Sequence, residues 1–264
     1  FKENKGKALL VGGSVRDFLM GKVSKDFDLE IYGLEAEKIE EITRANGNVS
    51  DVGKAFGILK INLENGLDID ISLPRTDSKI DEGHKGFKVK TDPHMAIKEA
   101  ARRRDFTINS MAADPLTGEL YDPFNGVEDI RNRVLKVTDV ERFKDDPLRV
   151  LRGLQFIGRF GLEVEENTAN IMREMATQLK ELPKERIGEE WKKLLLKSDK
   201  PSLGLSAGMV LGSFKEIHPE FPALVETKQD STRHPEGDVW IHTLMTVDES
   251  AKLKKREKLE DKKA

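Results

Sequence analysis

The chain has 264 residues, which at about 150 residues per domain corresponds to roughly two domains. Hydrophobic residues make up 37 % and charged residues 35 %, and no run approaches the roughly 20 apolar residues that a transmembrane helix needs, so the composition argues against a membrane protein. Cysteine is absent, which excludes disulfides and thiolate metal sites and fits a cytoplasmic location. The net charge is -3, so a nucleic-acid partner requires a local basic surface.

The first half of the chain alternates between patterns typical of strands and of helices. The acids Asp26, Asp28 and Glu30 alternate with apolar residues, which is the period of two expected of a strand. Glu64-Asn65-Gly66 is a typical hairpin sequence between two further strand patterns. In chain order, the predicted elements are a strand at 7–11, a helical turn at 14–20, a strand at 25–32, a helix at 34–45 and strands at 56–63 and 67–73.

The middle of the chain is polar and the rest is helical. Residues 75–95 are polar and contain two glycines and a proline, which predicts a mobile loop. Residues 114–118 predict a second hairpin, and beyond about residue 138 the apolar residues recur with the helical period of 3.6. The fold class predicted is therefore α+β, with a head at residues 1–138, an all-α part at residues 139–225 and a helical tail segment at residues 226–264.

Two glycines separate the first strand from the first helix. Gly12 and Gly13 allow a phosphate to approach backbone N–H groups, and the following helix N-terminus favours negative charge. A purely structural turn is the more common use of two glycines in this position. The spacing matches neither the P-loop nor the dinucleotide-binding fingerprint, which excludes those two kinds of phosphate site.

Asp26 and Asp28 lie two residues apart on a predicted strand, so both carboxylates face the same side. Two carboxylates so close repel each other unless a cation lies between them. The pair is therefore either a solvent-facing strand edge or a Mg²⁺ site for phosphoryl transfer, since Mg²⁺ prefers hard oxygen ligands and bridges substrate phosphates. Asp68 and Asp70 share one face of another predicted strand, and either could complete such a site.

These residues belong to a longer series of motifs. In chain order the motifs are Gly-Gly-Ser-Val-Arg-Asp at 12–17, Asp-Phe-Asp-Leu-Glu at 26–30, Arg-Arg-Asp-Phe-Thr-Ile-Asn-Ser-Met-Ala at 103–112, Tyr-Asp-Pro-Phe-Asn-Gly at 121–126 and Asp-Asp-Pro-Leu-Arg at 145–149. The series resembles the signature of class II tRNA nucleotidyltransferases and related poly(A) polymerases over about residues 7–162. The resemblance implies a DNA-polymerase-beta-like nucleotidyltransferase head followed by an all-α neck, body and tail.

The resemblance also implies roles for individual residues. Asp26 and Asp28 would be the catalytic, metal-binding carboxylates, and Asp70 falls where relatives carry a supporting acid. Arg104 would contact the triphosphate and Asp105 the sugar. The residues that would bind the nucleotide or organise its loop are Gly12, Gly13, Arg16, Asp17, Arg104, Asp105, Asn109, Asp146, Arg149 and Arg152.

Asp146 and Arg149 begin a predicted helix, and Asp146 before Pro147 is ordinary N-terminal chemistry. In the family this block serves as an amino-acid template for the base, although relatives usually carry Glu where this chain has Asp145. An ionised Asp only accepts hydrogen bonds and Arg only donates them, which suits the amino donor and ring-nitrogen acceptor of cytosine and adenine. Guanine and uracil present the opposite pattern. Three residues apart, the two side chains share one helix face.

The segment from His234 to Leu244 resembles the opening of the HD domain that is fused to some family members. An HD metal site needs a further His-Asp pair, and no histidine follows His242. The signature is therefore incomplete, and we expect no metal-dependent phosphohydrolase activity from it.

The sequence thus predicts template-independent addition of C and A nucleotides to the tRNA 3′ end from CTP and ATP, with Mg²⁺ as cofactor. The expected macromolecular partner is tRNA, bound through its 3′ end and acceptor arm, with no membrane partner. Basic residues that could bind the RNA backbone are Arg152, Arg159, Lys180, Lys184, Arg186, Lys192, Lys193 and Lys197.

Three alternatives stay open. The first is an A-adding, CC-adding or poly(A)-adding enzyme of the same family. The second is a catalytically inactive RNA-binding module, which the intact pair Asp26 and Asp28 disfavours. The third is an HD phosphohydrolase, which the missing His-Asp pair disfavours.

Overall fold

The computed structural model describes residues 1–24, 26–50, 57–63, 67–79 and 87–257. The chain forms two compact units. The first contains residues 1–132 and 136–145, and the second contains residues 133–135 and those from 146 onward. The sequence-based boundaries at residues 138 and 225 stay predictions.

The first unit is built around a mixed sheet. Its strands are β1 (Lys7–Val11), β2 (Asp26–Tyr32), β3 (Asn48–Ser50), β4 (Ile58–Asn62), β5 (Asp68–Ser72), β6 (Arg75–Lys79), β7 (Phe87–Thr91), β8 (Ala112–Ala113) and β9 (Leu120–Tyr121). Within the described ranges, seven of them form one sheet in the order β3-β4-β5-β2-β1-β8-β9, and β6 pairs with β7 separately. The helices of this unit are α1 (Gly13–Leu19), α2 (Ala36–Asn46), α3 (Ile97–Arg102), α4 (Gly126–Arg131) and α5 (Val140–Phe143).

The apolar side of β2 forms the core of the first unit. Ile31 is fully buried and clusters with Ile39 of α2 and with apolar residues of β4 and β5. Because side chains alternate along a strand, burying this side leaves the acids of β2 on the opposite face. The core therefore fixes which way the acidic residues point.

The register of the sheet aligns acids on neighbouring strands. β2 pairs antiparallel with β1 and parallel with β5, so that Asp26 lies opposite Asp68 and Asp28 opposite Asp70. Residues directly opposite each other in a ladder project to the same face. The acids of β2 and β5 consequently share one side of the sheet.

Most of the predicted elements of the head are confirmed, and one prediction is wrong. Residues 75–95 do not form a loop throughout, because β6 and β7 pair antiparallel from Arg75 opposite Thr91 to Lys79 opposite Phe87. The segment is polar, and β6 contains no apolar residue, so no hydrophobic pattern indicated the first strand of this ribbon. The hairpin at residues 114–118 is confirmed by the pairing of β8 and β9. The predicted Asn65-Gly66 turn lies outside the described residues.

The second unit is almost entirely helical, as the period of 3.6 predicts. Its elements are β10 (Val134–Leu135), α6 (Leu148–Phe160), β11 (Glu163–Val164), α7 (Glu166–Met175), α8 (Lys184–Lys197), α9 (Pro201–Val210), α10 (Phe214–Ile217), α11 (Glu220–Leu224) and α12 (Val239–Glu257). The short strands β10 and β11 pair in parallel. Within the described ranges, no helix combines the length and apolarity needed to cross a membrane.

Close helix packing in the second unit depends on glycine. A Cβ added at Gly204 of α9 would lie 2.5 Å from the Leu154 carbonyl oxygen of α6 and 2.6 Å from Leu194 Cδ1 of α8. Both distances are far below van der Waals contact, and one of them involves backbone that cannot rotate away. Gly204 therefore allows α9 to approach α6 closely.

We expect Gly204→Ala to lower the free energy of unfolding by about 1–3 kcal/mol, because overpacking outweighs the gain in helix propensity. Gly188 of α8 is the matched control, since a Cβ there meets nothing within 4 Å. Gly188→Ala should instead raise the free energy of unfolding by up to about 1 kcal/mol. Urea unfolding of both variants measures the two signs, and equal shifts would contradict the packing argument.

Candidate active site

The turn between β1 and α1 brings three candidate residues together. Gly12 adopts φ 72 and ψ -129, a conformation that side chains rarely tolerate. A Cβ at Gly12 would lie 2.6 Å from Arg104 Nη1 and 3.8 Å from Asp28 Oδ2. The Gly12 backbone, the Arg104 guanidinium and the Asp28 carboxylate therefore line the same spot, where a side chain at position 12 would not fit.

A buried hydrogen-bond chain supports this turn from below. Arg16 is only 4 % exposed; its Nε and Nη2 donate to Asp17 Oδ1 at 2.9 and 2.7 Å, and its Nη1 donates to Asn109 Oδ1 at 2.5 Å. Asn109 Nδ2 in turn donates to Asp105 Oδ1 at 2.9 Å. The structure thus joins four of the predicted nucleotide-binding residues in one network, in which Arg16 is directed at protein groups.

Asp26 and Asp28 lie on the exposed face of β2. The protein atoms packed around its carboxylate raise the pKa of Asp28; the charge of Arg104 opposes this rise, whereas those of Asp70 and Glu30 add to it. A carboxylate whose ionised form is disfavoured by neighbouring carboxylates is stabilised by a cation. The hard oxygen donors of Asp26 and Asp28 therefore fit a divalent metal ion.

Asp70 is engaged by a residue that the sequence analysis missed. Lys60 of β4 lies opposite Asp70 in the ladder, and its Nζ is 2.9 Å from Asp70 Oδ1. Among the described residues, the atoms of Asp26, Asp28 and Asp70 do not form a three-ligand group within 4.8 Å. Asp70 is thus held beside the acid pair by Lys60. The hairpin register between β4 and β5 was the signal that could have found Lys60.

Glu30 is the second residue that the sequence analysis left without a role. It follows Asp28 on the same face of β2, yet it is only 2 % exposed. Its Oε1 accepts hydrogen bonds from Arg103 Nη2 at 2.8 Å and Arg104 Nη2 at 3.0 Å, and its Oε2 accepts from the Tyr32 hydroxyl at 3.1 Å. The alternation of three acids on β2 was visible in sequence, but the burial of the third was not.

In the second unit, Asp146 has two partners. Its Oδ1 accepts from the Leu148 N–H at 3.0 Å, which confirms a capping contact at the start of α6. Its Oδ2 accepts from Arg186 Nη2 of α8 at 2.7 Å. Arg149 follows on the first turn of α6, and the Arg152 guanidinium lies 5.5 Å from the Phe156 ring centroid. Arg186 was predicted only as an RNA contact, and its pairing with Asp146 was not predicted from the sequence.

Several of the predicted RNA-binding cations are paired within the second unit. Lys192 binds Glu189 and Lys193 binds Glu190, each at 2.7 Å, and Lys180 lies 3.9 Å from Glu216. Arg159 Nη1 donates to Gln155 Oε1 at 2.9 Å. The pairs of Lys192 and Lys180 are exposed and therefore weak, whereas Lys193 and Arg159 bind the buried side chains of Glu190 and Gln155. The RNA contacts of these cations stay predictions.

The start of α12 gathers the residues of the incomplete HD signature. Glu236 Oε1 lies 3.1 Å from His234 Nδ1 and 2.6 Å from His242 Nδ1. Hydrogen bonds from its own backbone N–H, His242 and His234 lower the pKa of Glu236 to about 2. Within the described ranges, His234, Glu236 and His242 are the group whose ligand atoms all lie within 4.8 Å of one another. The sequence alone did not predict that these three residues would meet.

The profiles of two protein families match segments of this chain. The profile of the Poly A polymerase head domain matches residues 8–136, and that of the Probable RNA and SrmB-binding site of polymerase A matches residues 161–224. The Multifunctional CCA protein of Stenotrophomonas maltophilia is 39 % identical over 252 residues, covering 94 % of this chain and 60 % of the relative. That of Vibrio vulnificus is 37 % identical over 249 residues, covering 92 % and 58 %.

Solved structures give the same result. A CCA-adding enzyme in complex with CTP superposes with a TM-score of 0.68 at 29 % identity, covering 83 % of this chain and 49 % of that one. The Thermotoga maritima CCA-adding enzyme complexed with tRNA has a TM-score of 0.67 at 28 % identity, covering 87 % and 51 %. The chain thus spans 58–60 % of the length of the two relatives and about half of the two solved chains. By its motifs, its two matching domain profiles and its fold, the chain is similar to the tRNA nucleotidyltransferases and poly(A) polymerases.

Proposed function

We propose that this chain carries the catalytic and nucleotide-selecting parts of an enzyme that adds C and A nucleotides to the 3′ end of tRNA from CTP and ATP. The observation that carries the proposal is the convergence of the Gly12 backbone, the Asp28 carboxylate and the Arg104 guanidinium. A nucleoside triphosphate requires such a set, because acids bind its metal ions while backbone N–H groups and arginine bind its phosphates.

The proposed reaction is nucleotidyl transfer. The oxygen of the terminal tRNA hydroxyl attacks the α-phosphorus and forms a new P–O bond, while the bond from that phosphorus to the oxygen bridging to the β-phosphate breaks. Pyrophosphate leaves with the electron pair, and the hydroxyl proton is released. Asp26 and Asp28 bind the metal in this proposal, and Asp70, held by Lys60, supports them.

The nucleotidyltransferases use a divalent metal, and we propose Mg²⁺ for this chain. When bound, it supplies positive charge that activates the attacking hydroxyl and neutralises the departing pyrophosphate. Arg104 and the backbone of Gly12 and Gly13 hold the triphosphate. The buried network of Arg16, Asp17, Asn109 and Asp105 keeps their loop in place, and Asp105 contacts the sugar.

Base selection is assigned to Asp146 and Arg149, with Arg152 one turn further along α6. The Asp146 carboxylate accepts from the exocyclic amino group of C or A, and Arg149 donates to the ring nitrogen. The ion pair between Arg186 and Asp146 supports this assignment, because it holds the carboxylate in one position at the start of α6. The helical part would bind the acceptor arm of tRNA.

Complete CCA addition is favoured over A-only, CC-only or poly(A) addition. Relatives are named multifunctional CCA proteins, and neighbouring structures are CCA-adding enzymes solved with CTP, with ATP and with tRNA. The retained acid pair and Arg104 disfavour an inactive RNA-binding module. A cytoplasmic location is part of the proposal, since tRNA, CTP and ATP occur together there.

The experiment that tests the proposal uses tRNA that ends before the CCA sequence. The protein is incubated with this tRNA, Mg²⁺ and each NTP alone or with CTP and ATP together, and the products are sequenced. We expect two C residues followed by A. Addition of no nucleotide under any of these conditions would refute the proposal, and addition of only A, only C or long A runs would establish one of the within-family alternatives.

The first prediction concerns the glycine turn. Gly12→Ala should lower nucleotide addition by about 100-fold, because its Cβ displaces the Arg104 guanidinium. Gly118→Ala in the β8–β9 hairpin is the matched control, since Gly118 also has positive φ, 75 against 72, but meets nothing within 4 Å. Both variants place a side chain at positive φ, and steady-state kinetics should separate them. Equal activity of the two variants would contradict the phosphate-binding role.

The second prediction concerns the acid pair. Asp26→Asn or Asp28→Asn should lower kcat by at least about 100–1000-fold while folding and tRNA binding persist, because both side chains lie on the exposed face of β2. Asp92→Asn, at an exposed position after β7, is the control for the same chemical change. Single-turnover addition and tRNA gel shifts measure the two effects. Near-normal turnover by either variant would exclude the proposed metal site.

The third prediction concerns the choice of base. Arg149→Ala should lower the use of CTP and ATP and reduce their advantage over UTP and GTP by about 10-fold, since a lost base contact costs about 1–3 kcal/mol of discrimination. Arg159→Ala, almost three turns further along α6 and hydrogen-bonded to Gln155, should keep the wild-type ratios. Kinetics of single-nucleotide addition with all four NTPs decides, and wild-type ratios in Arg149→Ala would rule out the template role.

A further inference from the structure

Glu30 is a buried carboxylate beside two solvent-exposed ones. Asp26 and Asp28, on the same face of β2, are exposed, whereas Glu30 retains 2 % of its accessible surface. Burying a carboxylate is unfavourable unless charged hydrogen-bond donors compensate for the lost water. A buried acid at the end of an otherwise open acidic face therefore needs a specific reason to be there.

The donors around Glu30 account for both of its oxygens. Arg103 and Arg104 donate to Oε1, and Tyr32 donates to Oε2. Two guanidinium groups that meet at one oxygen would repel each other if the negative charge were absent. The two guanidinium groups of Arg103 and Arg104 lie 2.8 and 3.0 Å from Oε1 and offset the cost of burying this carboxylate.

Arg104 connects this buried cluster to the glycine turn. Its Nη2 binds Glu30 at 3.0 Å, while its Nη1 is the atom that a Cβ at Gly12 would meet at 2.6 Å. The guanidinium is planar and rigid, so fixing one nitrogen restricts the direction of the others. Side-chain exposure of 15 % leaves Arg104 partly open to solvent and thus able to meet a ligand.

We propose that Glu30 is a positioning residue that, with Tyr32, holds the Arg104 fork beside the Gly12–Gly13 turn so that the site for the nucleotide's triphosphate exists before the nucleotide arrives. The inference rests on the proposed function, which supplies the triphosphate. Every nucleoside triphosphate carries the same phosphates, so Glu30 should affect all four NTPs alike. An equal effect on all four NTPs distinguishes Glu30 from Asp146 and Arg149, which would act on the base.

The direct test is Glu30→Gln, which keeps the size of the side chain and removes its charge. The KM for CTP and that for ATP should rise by the same factor, about 10–100-fold, because a charge-assisted anchor of Arg104 is lost. The kcat should change much less, and the ratios among the four NTPs should stay at their wild-type values. Calorimetric titration of CTP into the free enzyme should show the same loss of affinity.

Glu40→Gln is the matched control for this change. Glu40 of α2 also pairs with an arginine, Arg44, at 2.8 Å, but at an exposed site within one helix. This variant should bind CTP and ATP as the wild type does. Tyr32→Phe removes only the hydroxyl that donates to Glu30 and should raise both KM values in the same direction, by a smaller factor.

A double-mutant cycle distinguishes positioning from general stabilisation. If Glu30 acts through Arg104, adding Glu30→Gln to an Arg104→Met enzyme should raise KM little further, whereas independent effects would multiply. Multiplicative KM effects, or wild-type KM values in Glu30→Gln, would overturn the proposal. Should Glu30→Gln fail to fold, Tyr32→Phe decides in its place, and unchanged KM values in that variant would overturn the proposal.

The proposed function and the positioning role of Glu30 are tested by different outcomes. If the wild-type enzyme neither binds CTP nor extends tRNA, the proposed function is wrong. If the wild-type enzyme does both and Glu30→Gln matches it, only the positioning role is wrong.

Discussion

The alternation of β2 is the constraint on which the first unit depends. One side of this strand contributes Ile31 to the core, so the other side must carry whatever residues occupy the intervening positions. A shift of one residue in register would expose the apolar residues of β2 and bury its three acids. The free-energy cost would exceed the net stability of a typical domain. Packing therefore determines the side on which the acids lie, the donors around Glu30 add to this, and the exposed Asp26 and Asp28 are able to bind a ligand.

Around this strand the sequence predicts the local features well and the long-range ones poorly. The elements β1, α1, β2 and α2 can be located from period-two alternation, from the two glycines after the first strand and from helical spacing. Each of these signals lies within a few residues. Lys60 and Asp70, or Arg186 and Asp146, meet only after a register or a helix packing is known. The β6–β7 ribbon was missed for another reason: β6 contains no apolar residue, and the short alternation of Phe87 and Val89 with lysines in β7 lies within a polar segment that contains glycines and a proline.

The candidate site repeats this division. Its motifs could be read from the residues, and the resemblance to a known family gave each motif a role. The burial of Glu30 could not be read, because burial depends on Arg103 and Arg104, more than 70 residues away along the chain. In the same way, the group formed by His234, Glu236 and His242 depends on how the chain turns into α12, which residue type alone does not determine.

The hydrogen bond from Arg16 to Asn109, together with the pairing of β1 and β8, has a consequence for biosynthesis. The loop after β1 receives its support from residues about 90 positions later, so a nascent chain emerging from the ribosome cannot complete it until β8 has also emerged. Contacts of such high sequence separation form late in folding, since the intervening chain must be ordered first. Until then β1, the neighbour of the strand that bears Asp26 and Asp28, lacks its partner β8. The exposed edge of β1 is open to pairing with other chains. The acid motif is thus synthesised before β8, but its surroundings are completed only after β8 has emerged.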